Sequence, residues 1–231
     1  MKVIAHRGSG VGSFENTLYG MQMAITWGAD GIECDVQSSR DGELVVFHDA
    51  TLDRLTNGNG LVAEHTLKEL KRLHVGQGEQ IPTLAEVLTL LKAQPQFIIN
   101  LDVKVQGIGV KILKEIRSRN LLDRTLVSSF VPQVLMKFRE LDADIATGWI
   151  YSYNYENPVK EAKKIGCTAL HPRLDLVSEE LRQSSRRQGL MLNPWSINSE
   201  VDMRRFIELG VDWIITDNPR RLLRILNRTG S

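Results

Sequence analysis

Apolar residues recur along the chain in two alternating rhythms. Short apolar or β-branched runs occur at Val3–Ala5, Gly31–Val36, Leu44–Phe47, Phe97–Val103, Thr125–Phe130, Ile145–Ile150, Cys167–Leu170, Met191–Trp195 and Trp213–Thr216. Between them lie segments of helical spacing: Glu15–Trp27, Leu84–Lys92, Val110–Arg119, Pro132–Leu141, Pro158–Ile165, Glu179–Gln188, Glu200–Leu209 and Pro219–Leu226. Ser199 ahead of Glu200, and Pro132, Pro158 and Pro219 in first turns, are helix-start signals. Short strands alternating with helices predict a parallel sheet covered by helices.

The run Leu44–Phe47 departs from that alternation. It follows Gly31–Val36 across Arg40-Asp41-Gly42-Glu43, and Asp-Gly is the preferred centre of a two-residue hairpin turn because both positions need positive φ. These two runs are therefore predicted to be antiparallel neighbours. Setting the return arm aside leaves eight strands, each followed by a helix, the pattern of a single (β/α)₈ barrel. The last strands begin near 167, 190 and 213, a compact repeat of roughly 23 residues. The excess length lies in an insertion at about 38–82, holding the return arm, the polar Asn57-Gly58-Asn59-Gly60 loop and a short helix near Leu67–Leu73.

Composition agrees with one large core. The chain has 231 residues, 42% hydrophobic and 25% charged, and a barrel of this kind needs roughly 200–250 residues, so one domain over 1–231 is expected. With 29 Lys+Arg against 28 Asp+Glu, there is no excess positive charge to bind nucleic acid. The cluster Arg220, Arg221, Arg224 and Arg228 falls in the last predicted helix, where it complements the helix dipole. No apolar run is long enough for a signal peptide or a membrane span, so no stable membrane association and a cytoplasmic location are expected. Cys34 and Cys167 stand apart in apolar runs and are expected to be buried thiols. A homo-oligomer is left open.

Side chains capable of chemistry collect at predicted strand ends. Residues two apart on a strand share a face, which pairs Glu33 with Asp35 and Asp102 with Lys104. A two-residue turn would place Asp35 opposite His48. His6 and Arg7 end the first strand, and in a closed barrel the carboxyl ends of the strands converge on one mouth. Three carboxylates without a thiol make a hard oxygen site suited to Mg²⁺ or Ca²⁺. Arg7 and Lys104 suit phosphoryl oxygens, and two histidines flanking such a centre suit general acid and base roles. Phe130 and Trp195 also end strands and could wall the mouth. His171 could face it, whereas His65 and His74 read as surface residues of the insertion. Glu15 and Asn16 read as fixing the first loop, and Asp217 and Asn218 as helix caps.

At these positions the chain resembles the glycerophosphodiester phosphodiesterase family. The matching segments are His6-Arg7-Gly8, Glu15-Asn16-Thr17, Glu33-Cys34-Asp35-Val36, Asp41-Gly42, Val46-Phe47-His48-Asp49, Ile81-Pro82-Thr83-Leu84-Ala85-Glu86, Asn100-Leu101-Asp102-Val103-Lys104, Ser129-Phe130, Gly210-Val211-Asp212 and Thr216-Asp217-Asn218-Pro219. They run in family order through nearly the whole chain. The resemblance implies a metal-dependent (β/α)₈ enzyme cleaving small glycerophosphodiesters, such as glycerophosphocholine, to glycerol 3-phosphate and an alcohol. It implies His6 and His48 as the acid/base pair, Glu33 and Asp35 as metal ligands, and Arg7 and Lys104 as phosphate holders. Asp102 stands where the family generally has Glu, and Phe14 where it usually has Pro. The family mechanism implies attack of the glycerol 2-hydroxyl on phosphorus and opening of the cyclic phosphate by water. Two alternatives share the barrel: lysophospholipase D or phosphoinositide-type phospholipase C activity, and a non-catalytic glycerol-phosphate or metal-binding protein. The first would need an exposed apolar rim, which the insertion's Asn57–Gly60 loop does not offer.

Overall fold

The structure, a computed structural model, describes residues 1–8 and 14–228. Nine strands and nine α-helices follow one another as β1 (Lys2–Ala5), α1 (Leu18–Thr26), β2 (Gly31–Ser38), β3 (Leu44–Val46), α2 (Leu67–Leu70), α3 (Leu84–Lys92), β4 (Ile98–Val103), α4 (Gly109–Ser118), β5 (Thr125–Ser129), α5 (Pro132–Leu141), β6 (Ala146–Tyr151), α6 (Pro158–Ile165), β7 (Ala169–Pro172), α7 (Glu179–Arg187), β8 (Met191–Leu192), α8 (Glu200–Leu209), β9 (Trp213–Thr216) and α9 (Pro219–Ile225), counted among the described residues. The sheet order is β8-β7-β6-β5-β4-β2-β1-β9, with parallel pairing along that path and β3 antiparallel to β2 outside it. Backbone bonds from Asp212 N to Leu192 O (3.0 Å) and from Ile215 N to Pro194 O (3.2 Å) cross the seam between β8 and β9. The result is a nearly closed barrel of eight parallel strands with helices between them.

Alternation along each strand divides the apolar side chains into two sets. Val3 and Ala5 join the larger core between sheet and helices, whereas Ile4 packs inside the barrel with Leu126, Ala169, Trp213 and Ile215. Asn157, Ser178, Ser199 and Asn218 cap their helices through side-chain oxygens, and Pro132, Pro158 and Pro219 open theirs.

The hairpin register differs from the one expected. The pairs are Val36↔Val46, Gln37↔Val45 and Ser38↔Leu44, and Ser39 N bonds Glu43 O at 2.9 Å, which leaves a three-residue loop. Only Gly42 takes a left-handed φ (+79°), while Asp41 Oδ1 accepts the Ser39 hydroxyl (2.6 Å) and Leu67 N (2.9 Å). Asp35 consequently faces Phe47, whose N donates to Asp35 O at 3.0 Å, rather than His48. β3 ends at Val46, and a bend over residues 48–50 carries His48 to the mouth.

Three boundaries move for identifiable reasons. α1 begins at Leu18 rather than Glu15, because Asn16 has φ +58° and Thr17 is the cap, its Oγ1 accepting Gly20 N at 3.0 Å. β8 stops at Leu192 because Pro172, at the end of β7, has no N–H to donate to Asn193 O, although Asn193 N and Trp195 N still bond Leu170 O (2.8 Å) and Pro172 O (3.1 Å). α2 opens on a capping box of Thr66 and Glu69 and ends at Leu70 rather than Leu73, because Arg72 N and Leu73 N bond the carbonyls three residues back, Glu69 O and Leu70 O, at 3.1 Å each. The insertion is more than a polar loop: Val45, Phe47, Leu52, Val62, Leu70, Val75 and Ile81 form a small buried core of their own.

Candidate active site

His6, Arg7, Glu33, Asp35, His48, Asp102, Lys104, Phe130 and Trp195 line one cavity at the carboxyl end of the strands. Every residue named from the sequence as a candidate for chemistry or binding therefore reaches the same mouth. A larger open cleft of about 600 Å³ lies between α5 and α6 and contains none of them.

Glu33 and Asp35 are neighbours on one face of β2, and β4 lies in register so that Asp35 pairs with Asp102. The three buried carboxylates can each offer an oxygen within 4.8 Å of the others. Lys104 Nζ lies 2.8 Å from Asp35 Oδ1 and 2.5 Å from Asp102 Oδ2. Asp35 also takes a 2.7 Å bond from Asn16 Nδ2 and lies 3.5 Å from Arg7 Nε. Asp102 Oδ1 is buried without a hydrogen-bond partner. Burial, reinforced by the charge of Asp35, raises the pKa values of Glu33 and Asp102. For Asp35 burial acts in the same direction, but Lys104, His48 and Arg7 outweigh it and the pKa falls. Crowded carboxylate oxygens with one orphaned atom form an oxygen-only donor set that fits a hard divalent cation.

Each histidine at the mouth is anchored through Nδ1. His6 Nδ1 lies 2.5 Å from Asp217 Oδ1, and His6 Nε2 lies 3.8 Å from Glu33 Oε2. Asp217 is itself held by Asn198, whose Nδ2 donates to Oδ2 at 2.5 Å and whose Oδ1 accepts Asp217 N at 2.9 Å. His48 Nδ1 lies 2.6 Å from Asp49 Oδ1. A carboxylate at Nδ1 assigns the proton to that nitrogen and leaves Nε2 free. Burial lowers the pKa of His6, but the Asp217 bond and the Glu33 charge more than compensate, so it ends raised. At His48 burial prevails over Asp35 and Asp49, and the pKa ends lowered. Asn218 is the cap of α9, as expected, but Asp217 is the His6 partner, which its place in Thr216-Asp217-Asn218-Pro219 did not disclose.

Arg7 takes a left-handed φ of +52°, with its backbone N donating to Glu33 Oε2 (3.0 Å) and its Nη1 to Glu15 Oε1 (2.8 Å). Glu15 and Asn16 do fix the first loop, although Asn16 does so by bonding Asp35 and not by capping a helix. On the opposite side Phe130 and Trp195 meet edge to face at 5.6 Å, and Trp195 Nε1 donates to His171 O at 2.8 Å. Phe130 (44%), Tyr153 (77%), Tyr155 (40%) and Val105 (37%) are exposed in the segments following β4, β5 and β6. Of these only Phe130 lines the mouth, while Tyr155 borders the cleft between α5 and α6.

His171 lines the floor of the cavity, fully enclosed, with Nε2 3.1 Å from Asn193 Nδ2, and burial pushes its pKa down to about 3. His65 and His74 lie in the insertion and do not line the mouth. Cys34 and Cys167 are buried, and burial pushes both thiols up, Cys167 to about 12. Arg228 forks onto Asp30 with two bonds of 2.9 Å. No helix among the described residues is long and apolar enough to cross a membrane.

Residues 6–221 match the Glycerophosphoryl diester phosphodiesterase family. The chain belongs to that family. It is an enzyme of the phosphoric diester hydrolase class that the family comprises. A glycerophosphodiester phosphodiesterase from Caldanaerobacter subterraneus subsp. tengcongensis is 38% identical over 240 residues, covering 99% of this chain and 98% of the relative. Another from Bacillus altitudinis is 35% identical, covering 97% of each. Among solved structures, an Oleispira antarctica phosphodiesterase in complex with the product sn-glycerol-3-phosphate superimposes with a TM-score of 0.91 at 28% identity, over 98% of this chain and 97% of that one.

Proposed function

We propose that this member hydrolyses small glycerophosphodiesters to sn-glycerol 3-phosphate and an alcohol, using His6 and His48 as general acid and base and a divalent cation held by Glu33, Asp35 and Asp102. The whole chain would act as one domain, with residues 38–82 as an insertion that delivers His48. The observation that carries this reading is the arrangement at the mouth: two imidazoles, each tied at Nδ1 to a carboxylate, flank three clustered carboxylates and two cations. Product in the related Oleispira structure supports a glycerol phosphate as the group recognised.

The chain's own residues divide the work. Arg7 and Lys104 bind phosphoryl oxygens and stabilise the charge that grows on them. One imidazole Nε2 removes the proton of the attacking glycerol 2-hydroxyl, and the other protonates the departing alcohol oxygen. In the second step the roles reverse, as a water opens the cyclic phosphate. Asp217 and Asp49 keep both Nε2 atoms directed at the reacting group. Phe130 and Trp195 shield one side of the bound diester. A bound Mg²⁺ or Ca²⁺ supplies further stabilisation of phosphoryl charge.

Incubation with glycerophosphocholine should release glycerol 3-phosphate only when Mg²⁺ or Ca²⁺ is present, and chelation should abolish it. His6→Ala and His48→Ala should each lose about 10²–10⁴-fold in kcat while keeping calorimetric metal binding. Full activity in both variants would refute the acid/base assignment. A second reading, cleavage of lysophospholipids at the same headgroup bond, draws on the exposed side chains of Val105, Phe130, Tyr153 and Tyr155. Turnover of lysophosphatidylcholine at a kcat/KM above that of glycerophosphocholine would favour it.

A further inference from the structure

Arg54 belongs to neither the mouth nor any residue set picked out from the sequence, yet its guanidinium uses all three nitrogens on two carboxylates. Nε and Nη2 donate to Asp49 Oδ2 and Oδ1 at 2.6 and 3.0 Å. Nη2 and Nη1 donate to Glu15 Oε1 and Oε2 at 2.7 and 3.1 Å. Both carboxylates are shared. Asp49 Oδ1 also receives His48 Nδ1 at 2.6 Å, and Glu15 Oε1 also receives Arg7 Nη1 at 2.8 Å. The bonds therefore form one chain, His48–Asp49–Arg54–Glu15–Arg7, joining the segment after β3 to the segment after β1.

We propose that Arg54 is a positioning residue: by clamping Asp49 to Glu15 it holds the imidazole of His48 and the guanidinium of Arg7 in a single arrangement across the mouth. The proposal rests on the reading of His48 and Arg7 given above. Its force comes from geometry rather than stability, because the Arg54 side chain is 47% exposed and a surface ion pair of that kind adds little to folding. A planar fork with donors on three nitrogens can meet two carboxylates at once, which a lysine ammonium at the end of a flexible stem cannot do with the same directionality. Among the described residues no other Lys or Arg touches Asp49, and Arg7 is the only other one that touches Glu15. Loss of the clamp leaves His48 and Arg7 each with a partner, but the two partners are no longer referenced to one another. Misplacement by about 1 Å at a reacting group is enough to cost on the order of 10²-fold.

The test compares wild type, Arg54→Lys and Arg54→Ala as full-length, metal-loaded protein, with glycerophosphocholine as substrate. Arg54→Ala should lower kcat by about 10–100-fold and raise KM several-fold, with the melting temperature little changed; Arg54→Lys should recover only part of either. Added guanidinium ion should restore part of the activity of Arg54→Ala and leave wild type unaffected. In an Asp49→Asn background the kcat effect of Arg54→Ala should shrink towards unity, and in a Glu15→Gln background the KM effect should do so. Effects of unchanged size in those backgrounds, a fully active Arg54→Ala, or complete rescue by lysine would each overturn the proposal. The ¹⁵N spectrum of the imidazoles separates it from the functional reading: Arg54→Ala, which frees Asp49 to move with its imidazole, should displace and broaden the His48 ring signals, whether or not glycerophosphocholine is turned over. An unchanged His48 signal would count against the clamp alone.

Discussion

His6 Nδ1 and Asp217 Oδ1 meet at 2.5 Å across 211 positions of the chain, joining the segment after the first strand to the segment after the last. Asp217 accepts one proton and so dictates which nitrogen of His6 faces the mouth. Replacing it by Asn, which can also donate, permits the wrong tautomer. Asp217→Asn should therefore lower kcat by on the order of 10²-fold with KM within about twofold, measured by steady-state release of glycerol 3-phosphate.

Stability should depend on pH through His171. Its folded pKa is depressed to about 3 by burial, whereas the unfolded chain takes up a proton near the ordinary value of 6.5. The unfolded state thus binds more protons between those values, so the contribution is intact above pH 6.5 and is lost as pH falls towards 3, at about 1.4 kcal/mol per unit. Urea unfolding at pH 7 and pH 5 should show wild type losing about 2 kcal/mol more than His171→Gln. Parallel losses would remove His171 from the explanation.

Gly148 makes the room that His171 occupies. A Cβ at Gly148 would sit 2.5 Å from His171 Nε2 and 3.0 Å from Leu126 Cδ2, and that ring nitrogen is already held by Asn193 Nδ2 at 3.1 Å. Gly148→Ala should cost about 1–3 kcal/mol through overpacking, which for a chain of this size lowers the melting temperature by roughly 3–10 °C. Differential scanning calorimetry would detect the shift, and an unchanged transition would show that the floor is looser than its contacts indicate.

The aromatic wall should act on binding rather than on the chemical step. Trp195→Ala removes the edge-to-face partner of Phe130 and the bond to His171 O. KM for glycerophosphocholine should rise about fivefold with kcat within about twofold, as expected when uniform binding is lost. A fall in kcat at constant KM would place Trp195 at the reacting atoms.

The barrel was legible because its signals are local and repeated: alternation of short apolar runs with capped helices locates every strand and all but the edges of the helices. The carboxylate cluster was legible for a related reason, since Glu33, Asp35 and Asp102 sit on strands whose parity decides where they point. The hairpin register was not. Asp41-Gly42 serves a two-residue or a three-residue loop equally well, and the choice falls to the Ser39 hydroxyl and to Leu67 N, which engages Asp41 from 26 residues away. Asp217 was concealed by its position before a helix-opening Pro219, where a cap is the local expectation. Arg54 was invisible because neither end of its bridge to Glu15, 39 residues distant, carries a pattern that names the other.

The pairing of β1 with β9 makes the mouth depend on two distant parts of the chain. One edge of Lys2–Ala5 is covered by Trp213–Thr216, and Nδ1 of His6 finds its carboxylate in Asp217, just beyond that strand. Glu33, Asp35, Asp102 and Lys104 meet on β2 and β4 without either segment. Prising β9 away from β1 would therefore release His6 while leaving the carboxylate and lysine cluster together.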